Sequence, residues 1–264
     1  MKKRKIKAPP KSVIVAVVIL LALLLFLGYI WNLLNTSEYF EVREVITKEP
    51  NHIDLSYLKG RNIFTLDLKE EAGNILTYYP NCLDVQLSRV LPNRLYVKFI
   101  KRKPAALVKL YRNFILDEQG VIFPAPNDAQ YAGLPVVTGL ETRIIGPRPG
   151  RKYNIKEVKL ALEIIKEIRE NTLLKNYRIE KIDLANTSNT TVYLMLPTKV
   201  LDYQKGQVTV GPDSLEIRLG DENIKDKITI LSGVFVQTKV DLATVKYVDL
   251  RFKEPVIKLK DAQQ

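Results

Sequence analysis

The sequence predicts an α+β protein: a single N-terminal transmembrane helix, a small domain built on a three-stranded sheet with two helices, and a larger β-rich domain with a mixed or antiparallel sheet and two main helices. Three observations predict it. An uncharged apolar run, Val13–Trp31, follows a cluster of positive charge. The next stretch reads strand, helix, helix, strand, strand. Beyond it, helical spacing recurs only twice, among short alternating segments divided by Asn, Thr, Ser, Pro and Gly.

The nineteen residues of Val13–Trp31 carry no charge and would form a helix about 28 Å long, enough to cross the hydrocarbon core of a bilayer. Fourteen of the residues from Val13 to Ile30 are Val, Ile, Leu or Phe, worth about −4 to −8 kcal/mol on the biological insertion scale. The run is longer than the apolar part of a signal peptide, and the bulky "YIWNLLN" offers no small-residue cleavage site, so an uncleaved anchor is expected. A soluble helix would need a polar stripe, and this segment has none. Lys2, Lys3, Arg4, Lys5, Lys7 and Lys11 all precede the run, and the next cation is Arg43. That asymmetry keeps the N-terminus in the cytoplasm and exports the rest. The expected division is a cytoplasmic basic tail (1–11), a transmembrane helix (12–34), a small domain (35–104) and a β-rich domain (105–264).

Of the formal charge of +12, the tail supplies +6, which leaves +6 for a remainder that is only mildly basic. With 46% hydrophobic residues the chain has enough apolar content to build ordinary cores. Cys82 is the only cysteine, which rules out an internal disulfide, and His52 is the only histidine, which rules out a His-rich metal site and a His-based hydrolase triad. Sequons begin at Asn35, Asn186 and Asn189 and matter only in a eukaryotic secretory pathway. There is no Gly-rich phosphate loop and no cysteine pair. Ser56–Lys59 fits the Ser-x-x-Lys pattern of penicillin-binding enzymes, but the partner motifs Ser-Asp-Asn and Lys-Thr-Gly are absent. Asp117–Glu118 and Asp221–Glu222 are adjacent carboxylates, each at a turn or helix start where acids are favoured structurally. No enzymatic activity, cofactor, metal or small-molecule substrate is expected.

In the small domain, "YFEVREVITK" (Tyr39–Lys48) has strand character, and "EPNHIDLSYLKG" reads as a short helical turn closed by Gly60. Asp67 caps a second helix with Glu70 three residues on, and Leu68, Ala72, Ile75, Leu76 and Tyr79 follow at helical spacing up to Pro80. Val85 and Leu87, then Leu95, Val97 and Phe99, alternate with polar residues around a Pro92–Asn93 turn. Arg89, Arg94, Lys98, Lys101, Arg102 and Lys103 make this hairpin basic. Alternation assigns Arg94, Tyr96 and Lys98 to a solvated face, and nucleic acid is not an expected partner.

In the β-rich domain, "LVKLYRNFILDEQGVIF" turns at Asp117–Gly120, and "LPVVTGL" offers one short strand. Asn154, with Glu157 three residues later, is expected to cap a helix whose apolar face is Ile155, Val158, Ala161, Leu162, Ile165 and Ile168, with Lys159 and Glu163 paired on the outside. Strand-like segments follow in "YRIEKIDLAN", "TTVYLML", "QVTVG" and "LEIRLG". Asn223–Gln237 returns to helical spacing through Ile224, Ile228, Leu231 and Phe235, and Tyr247–Phe252 and Val256–Leu259 are the last strands.

Taken in order, "NIFTLDL" (Asn62–Leu68), Pro80, "LSRVLPNRLYVKF" (Leu87–Phe99), "RKPAAL" (Arg102–Leu107), "LPVVTG", "RLGDENIKDKITIL" (Arg218–Leu231) and "VDLRFKEPVIKLK" (Val248–Lys260) resemble the bacterial cell-division family FtsQ/DivIB. Asn81 after Pro80, Lys101 before Arg102 and Gly73 inside the helix depart from its usual pattern. The resemblance implies that the small domain is a POTRA domain, used in recruitment to the division site. It also implies that the protein is a non-enzymatic scaffold of the inner membrane, concentrated at the septum, which binds FtsB and FtsL and through them the FtsW/FtsI wall-synthesis machinery. The family offers its last strands to FtsB. That maps onto Tyr247, Val248, Asp249, Leu250, Arg251, Phe252, Lys253, Val256 and Lys258. The expectation for "YVDLRF" is an exposed edge strand, with Val248, Leu250 and Phe252 towards the core and Tyr247, Asp249, Arg251 and Lys253 towards solvent and an incoming strand. Two other classes fit a POTRA domain or an exported anchor: an export or outer-membrane assembly factor, and an anchored cell-wall enzyme. The first would need several hundred further residues of alternating strands, and the second a catalytic constellation.

Overall fold

The computed structural model describes residues 11–48, 53–125, 128–196, 214–237 and 242–260, so "QVTVG" and His52 lie outside the described residues. The chain divides into two compact units, 1–101 and 102–264. The first begins with α1 (Lys11–Thr36), a 26-residue helix long and apolar enough to cross a membrane and with none of its side chains buried.

After α1 the first unit forms β1 (Glu44–Thr47), α2 (Leu68–Tyr78), β2 (Cys82–Val90) and β3 (Arg94–Lys101). The sheet order is β1-β3-β2, with β1 parallel to β3 and β2 antiparallel to it. The first of the two expected helices is a single 3₁₀ turn, Ser56–Leu58, ahead of Gly60 at φ +78°. The cap of α2 is as expected: Asp67 Oδ1 accepts from the N–H groups of Lys69 (2.9 Å) and Glu70 (3.1 Å), satisfying two of the helix's orphan donors. Ile75 of α2 packs with Leu58, Val85, Leu95, Val97 and Phe99 to form the core, and Cys82 is buried among them.

The basic hairpin is less uniform than its sequence. Arg94 and Lys98 are exposed and Tyr96 is half-buried, as alternation predicts. Arg89 instead reaches back over the helix side of the sheet, donating from Nε to Ile63 O (2.6 Å) and from Nη2 to Leu66 O (2.8 Å). Arg102 pairs with Asp117 at 2.8 Å and is largely withdrawn from water. A charge run in sequence thus separates into solvated groups and structural ones.

Among the described residues, the second unit carries a nine-stranded mixed sheet in the order β12-β11-β10-β9-β8-β7-β4-β5-β6. Its strands are β4 (Pro104–Lys109), β5 (Asn113–Asp117), β6 (Ile122–Pro124), β7 (Val136–Thr138), β8 (Arg178–Asp183), β9 (Thr191–Met195), β10 (Ser214–Arg218), β11 (Val245–Asp249) and β12 (Val256–Leu259). Two helices, α3 (Lys156–Glu170) and α4 (Ile224–Gln237), pack on one face through Val158, Ala161, Ile165, Ile168, Ile228 and Leu231. Ile155, not Asn154, stands at the N-cap of α3 and makes no side-chain cap bond, so the expected capping box does not form there. Glu157 is drawn instead to Arg143, 3.2 Å away. Gly139, at φ +86°, lets β7 run beside the end of β8: a Cβ there would stand 2.1 Å from Ala185 N, so only glycine fits.

Asp117 is the pivot of the turn between β5 and β6. Its Oδ1 accepts from Gln119 N (2.9 Å) and Val121 N (2.7 Å), and its Oδ2 accepts from Arg102 (2.8 Å). With those bonds made and 2% of its surface exposed, the Asp117–Glu118 pair is turn architecture. Asp221 is likewise held by Lys156 across from α3.

Candidate partner-binding edge

Val248, Asp249 and Tyr247 lie on β11, and β11 is an internal strand. It pairs with β10 in parallel (Glu216↔Tyr247, Ile217↔Val248, Arg218↔Asp249) and with β12 antiparallel (Tyr247↔Lys258, Val248↔Ile257, Asp249↔Val256). The expectation that "YVDLRF" ends the sheet is therefore corrected: among the described residues, the last strand on this side is β12. The strand also stops at Asp249, and Arg251, Phe252 and Lys253 form the bend that leads through Pro255 into β12.

The alternation holds only as far as the strand does. Val248 and Leu250 are buried in the core, whereas Phe252, expected beside them, is 62% exposed. Asp249, expected to face solvent, is 3% exposed. Its carboxylate is covered by Arg251, which donates from Nε to Oδ1 (2.9 Å) and Oδ2 (3.2 Å), from Nη2 to Oδ2 (2.6 Å), and from its backbone N–H to Oδ1 (3.1 Å). Those hydrogen bonds hold the Asp249 carboxyl below its ordinary range, against the opposing effect of burial. Arg251 also bonds Asn189 Oδ1, and its stem passes beside Gly220, which has φ +69°. Arg251 is thus a fastener between loops, and its backbone N–H does not point to a sheet edge.

Beyond the fastener the polar face of β8–β12 is ordered by register. Lys181, Tyr193, Glu216, Tyr247 and Lys258 stand side by side across five strands. The Arg218 guanidinium lies 3.9 Å from the centroid of the Tyr247 ring and 2.7 Å from Glu216, and Lys181 sits 5.4 Å from the Tyr193 centroid. These groups satisfy one another.

At β12 the pattern changes. Val256 (45%), Ile257 (38%) and Leu259 (48%) are exposed, Lys258 is exposed, and among the described residues no strand pairs with its outer side. Ile257 and Leu259 make an apolar strip on one face of this open edge, Val256 stands on the other face, and Phe252 is exposed in the bend just before it. Unpaired main-chain groups and exposed side chains there favour addition of another strand. Ile257 and Leu259 belong to this strip but not to the expected residue set. The alternation of "VIKLK" held that signal; Asn189, 62 residues from the arginine it holds, left none. Among the described residues, no cluster of three His, Cys, Asp or Glu side chains suits a metal ion.

Comparison with known proteins accounts for this architecture. Residues 106–251 match the family described as cell division protein FtsQ/DivIB, C-terminal, which is more than half of the chain. The chain belongs to the FtsQ/DivIB family. It is 21% identical over 238 residues to the cell division protein FtsQ of Syntrophotalea carbinolica, covering 88% of this chain and 78% of that one. It is 24% identical over 223 residues to FtsQ of Geotalea daltonii, covering 83% and 74%. To FtsQ of Myxococcus fulvus it is 30% identical over 118 residues, covering 42% and 40%. Membership makes it a protein of bacterial cell division, with an N-terminal helix consistent with a membrane anchor. The matched region ends at Arg251, so β12, the exposed strand, lies just past it.

Proposed function

We propose that the chain is a non-enzymatic scaffold of the division machinery, anchored by α1 with its N-terminus in the cytoplasm and both folded units outside, and concentrated at the septum. Its partners are FtsB and FtsL, and through them it acts on the FtsW/FtsI enzymes that build septal peptidoglycan. The single observation that carries this reading is the open edge strand β12, with its exposed apolar side chains, just past the family-matched region. A partner strand adds along Val256–Leu259, and Phe252 supplies an aromatic anchor beside it. Tyr247, Val248, Asp249, Leu250 and Arg251 act behind that edge, fixing its register and the bend that presents Phe252 and Lys253, while Val256 and Lys258 meet the partner directly.

Capture of the tagged full-length chain from membranes tests the reading: FtsB and FtsL should travel with it, and Ile257→Glu should remove both while the protein stays folded by circular dichroism. Retention of both by the variant would exclude β12 as the docking strand. Topology is tested separately by alkaline phosphatase joined after Gln264, which should be active; an inactive fusion with an active cytoplasmic reporter would overturn it.

A further inference from the structure

The end of α1 runs into the first domain without a linker. Ser37 N donates to Leu33 O (3.0 Å), and Ser37 Oγ then accepts from Tyr39 N (3.3 Å) to cap the 3₁₀ turn Glu38–Phe40. From Phe40 onward the chain is stitched to the loop before α2: Ile63 N donates to Phe40 O (2.9 Å), Val42 N to Arg61 O (2.9 Å), and Gly60 N to Val42 O (2.9 Å). Asn62 closes the junction from the domain side. Its Nδ2 donates to Leu34 O at 2.9 Å, one of the carbonyls that the C-terminus of a helix leaves unpaired, and its Oδ1 accepts from Phe64 N at 2.8 Å. The Phe40 and Phe64 rings pack edge to face above it, centroids 5.1 Å apart. A residue from 28 positions downstream thus caps the anchor helix.

We propose that Asn62 is a clasp that locks the first domain to the anchor, so that α1 and the domain move as one body and the helix sets the height and orientation of the domain at the membrane surface. Trp31 and Tyr29 are exposed on the last turns of the apolar run, where aromatic rings mark the bilayer interface. Leu34 lies three residues beyond Trp31, about 4.5 Å along the axis, so the clasp falls at headgroup level. In this arrangement a rotation or tilt imposed on α1 inside the bilayer reaches the exterior undamped, which a flexible linker would prevent. The membrane placement rests on the anchored reading of α1; the clasp itself does not.

The test is amide hydrogen exchange on the full-length chain in phosphatidylethanolamine/phosphatidylglycerol nanodiscs, comparing the junction, residues 33–42, with the β2–β3 hairpin. Asn62→Asp keeps the acceptor for Phe64 N but loses the donor to Leu34 O and puts a negative charge at the negative end of a helix. Junction exchange should rise about fivefold or more, the equivalent of one lost hydrogen bond, with the hairpin unchanged. Two glycines inserted between Thr36 and Ser37, outside the domain, should loosen the junction in the same way. Wild-type exchange at the junction in Asn62→Asp, or in the insertion variant, overturns the proposal. Alkaline extraction reports on the anchor alone: a chain washed from membranes by carbonate would refute the membrane placement while leaving the clasp to be judged by exchange.

Discussion

The two edges of the nine-stranded sheet solve the same physical problem in opposite ways. At one edge, β6 is closed by its own chain: Ile122 N donates to Arg151 O (3.2 Å), Gly150 N donates to Ile122 O (2.9 Å), and Val121 bridges Lys152. Phe123 turns its ring into a small cluster with Leu107 and Ile115. At the other, β12 is left with exposed Val256, Ile257 and Leu259 and a free outer side among the described residues. An edge strand is an aggregation hazard unless it is blocked or used. The contrast within one sheet supports the proposal that the open edge receives another chain, since the fold has the means to close an edge and applies it at β6.

The largest expected effect breaks the closed edge. Asp117→Ala strands the N–H groups of Gln119 and Val121 and removes the carboxylate oxygen that Arg102 meets, so it should cost about 2 to 4 kcal/mol of stability. Denaturant unfolding of the full-length protein in detergent, followed by circular dichroism, measures this, and a loss below about 1 kcal/mol would show that the turn is not what seals β6.

At the open edge the same kind of truncation should leave stability alone. Phe252→Ala removes an exposed ring, so stability should stay within about 0.5 kcal/mol, while capture of FtsB by the full-length chain should weaken by about 2 kcal/mol, as for an aromatic hot spot. Equal binding by the variant would move the anchor elsewhere along the strip.

A smaller effect is expected behind the open edge. Arg251→Ala uncovers Asp249 and frees Asn189; because the Arg251 side chain remains partly solvated, a loss of about 1 to 2 kcal/mol is expected. The pH dependence carries a distinct signature. Since the Asp249 carboxyl is held low chiefly by its hydrogen bonds from Arg251, its contribution is fully present above the unfolded carboxylate value near 3.9 and is lost as pH falls through the lower folded value. In Arg251→Ala that acid-side loss should shrink, and parallel acid titrations of the two proteins would refute the assignment if they coincide.

The smallest effect is expected on the other sheet. Arg94→Glu with Lys98→Glu should change stability by less than about 0.5 kcal/mol each, because both side chains already stand in water. Salt-dependent DNA binding by the parent protein would contradict the reading of this face as solvated surface.

How far each element was legible follows from the range of the forces that make it. α1 was readable because nineteen successive uncharged residues need no tertiary partner to favour a bilayer, and α2 because Asp67 caps the N–H groups of Lys69 and Glu70, only two and three residues on. β7 and α4 showed themselves by local pattern in the same way. The cap of α3 did not: Asn154 and Glu157 have the right spacing, but Arg143 from another loop takes the glutamate.

For β11, alternation named Val248 and Leu250 as core correctly, because the period of two is a property of the strand itself. Alternation reads the same for an internal strand as for an edge, so it could not say that β12 would cover β11, that Asp249 would be sealed by Arg251, or that the chain would bend at Phe252. The basic run from Arg89 to Lys103 makes the same point with charge. The sequence by itself determined the cation count, the long apolar N-terminal helix, most of the described strands and the family. Only the tertiary structure decided that Arg89 would meet the carbonyls of Ile63 and Leu66, that Arg102 would meet Asp117, and that Asn62 would meet the end of α1, because each partner lies more than ten residues away and a hydrogen bond acts only over about 3 Å.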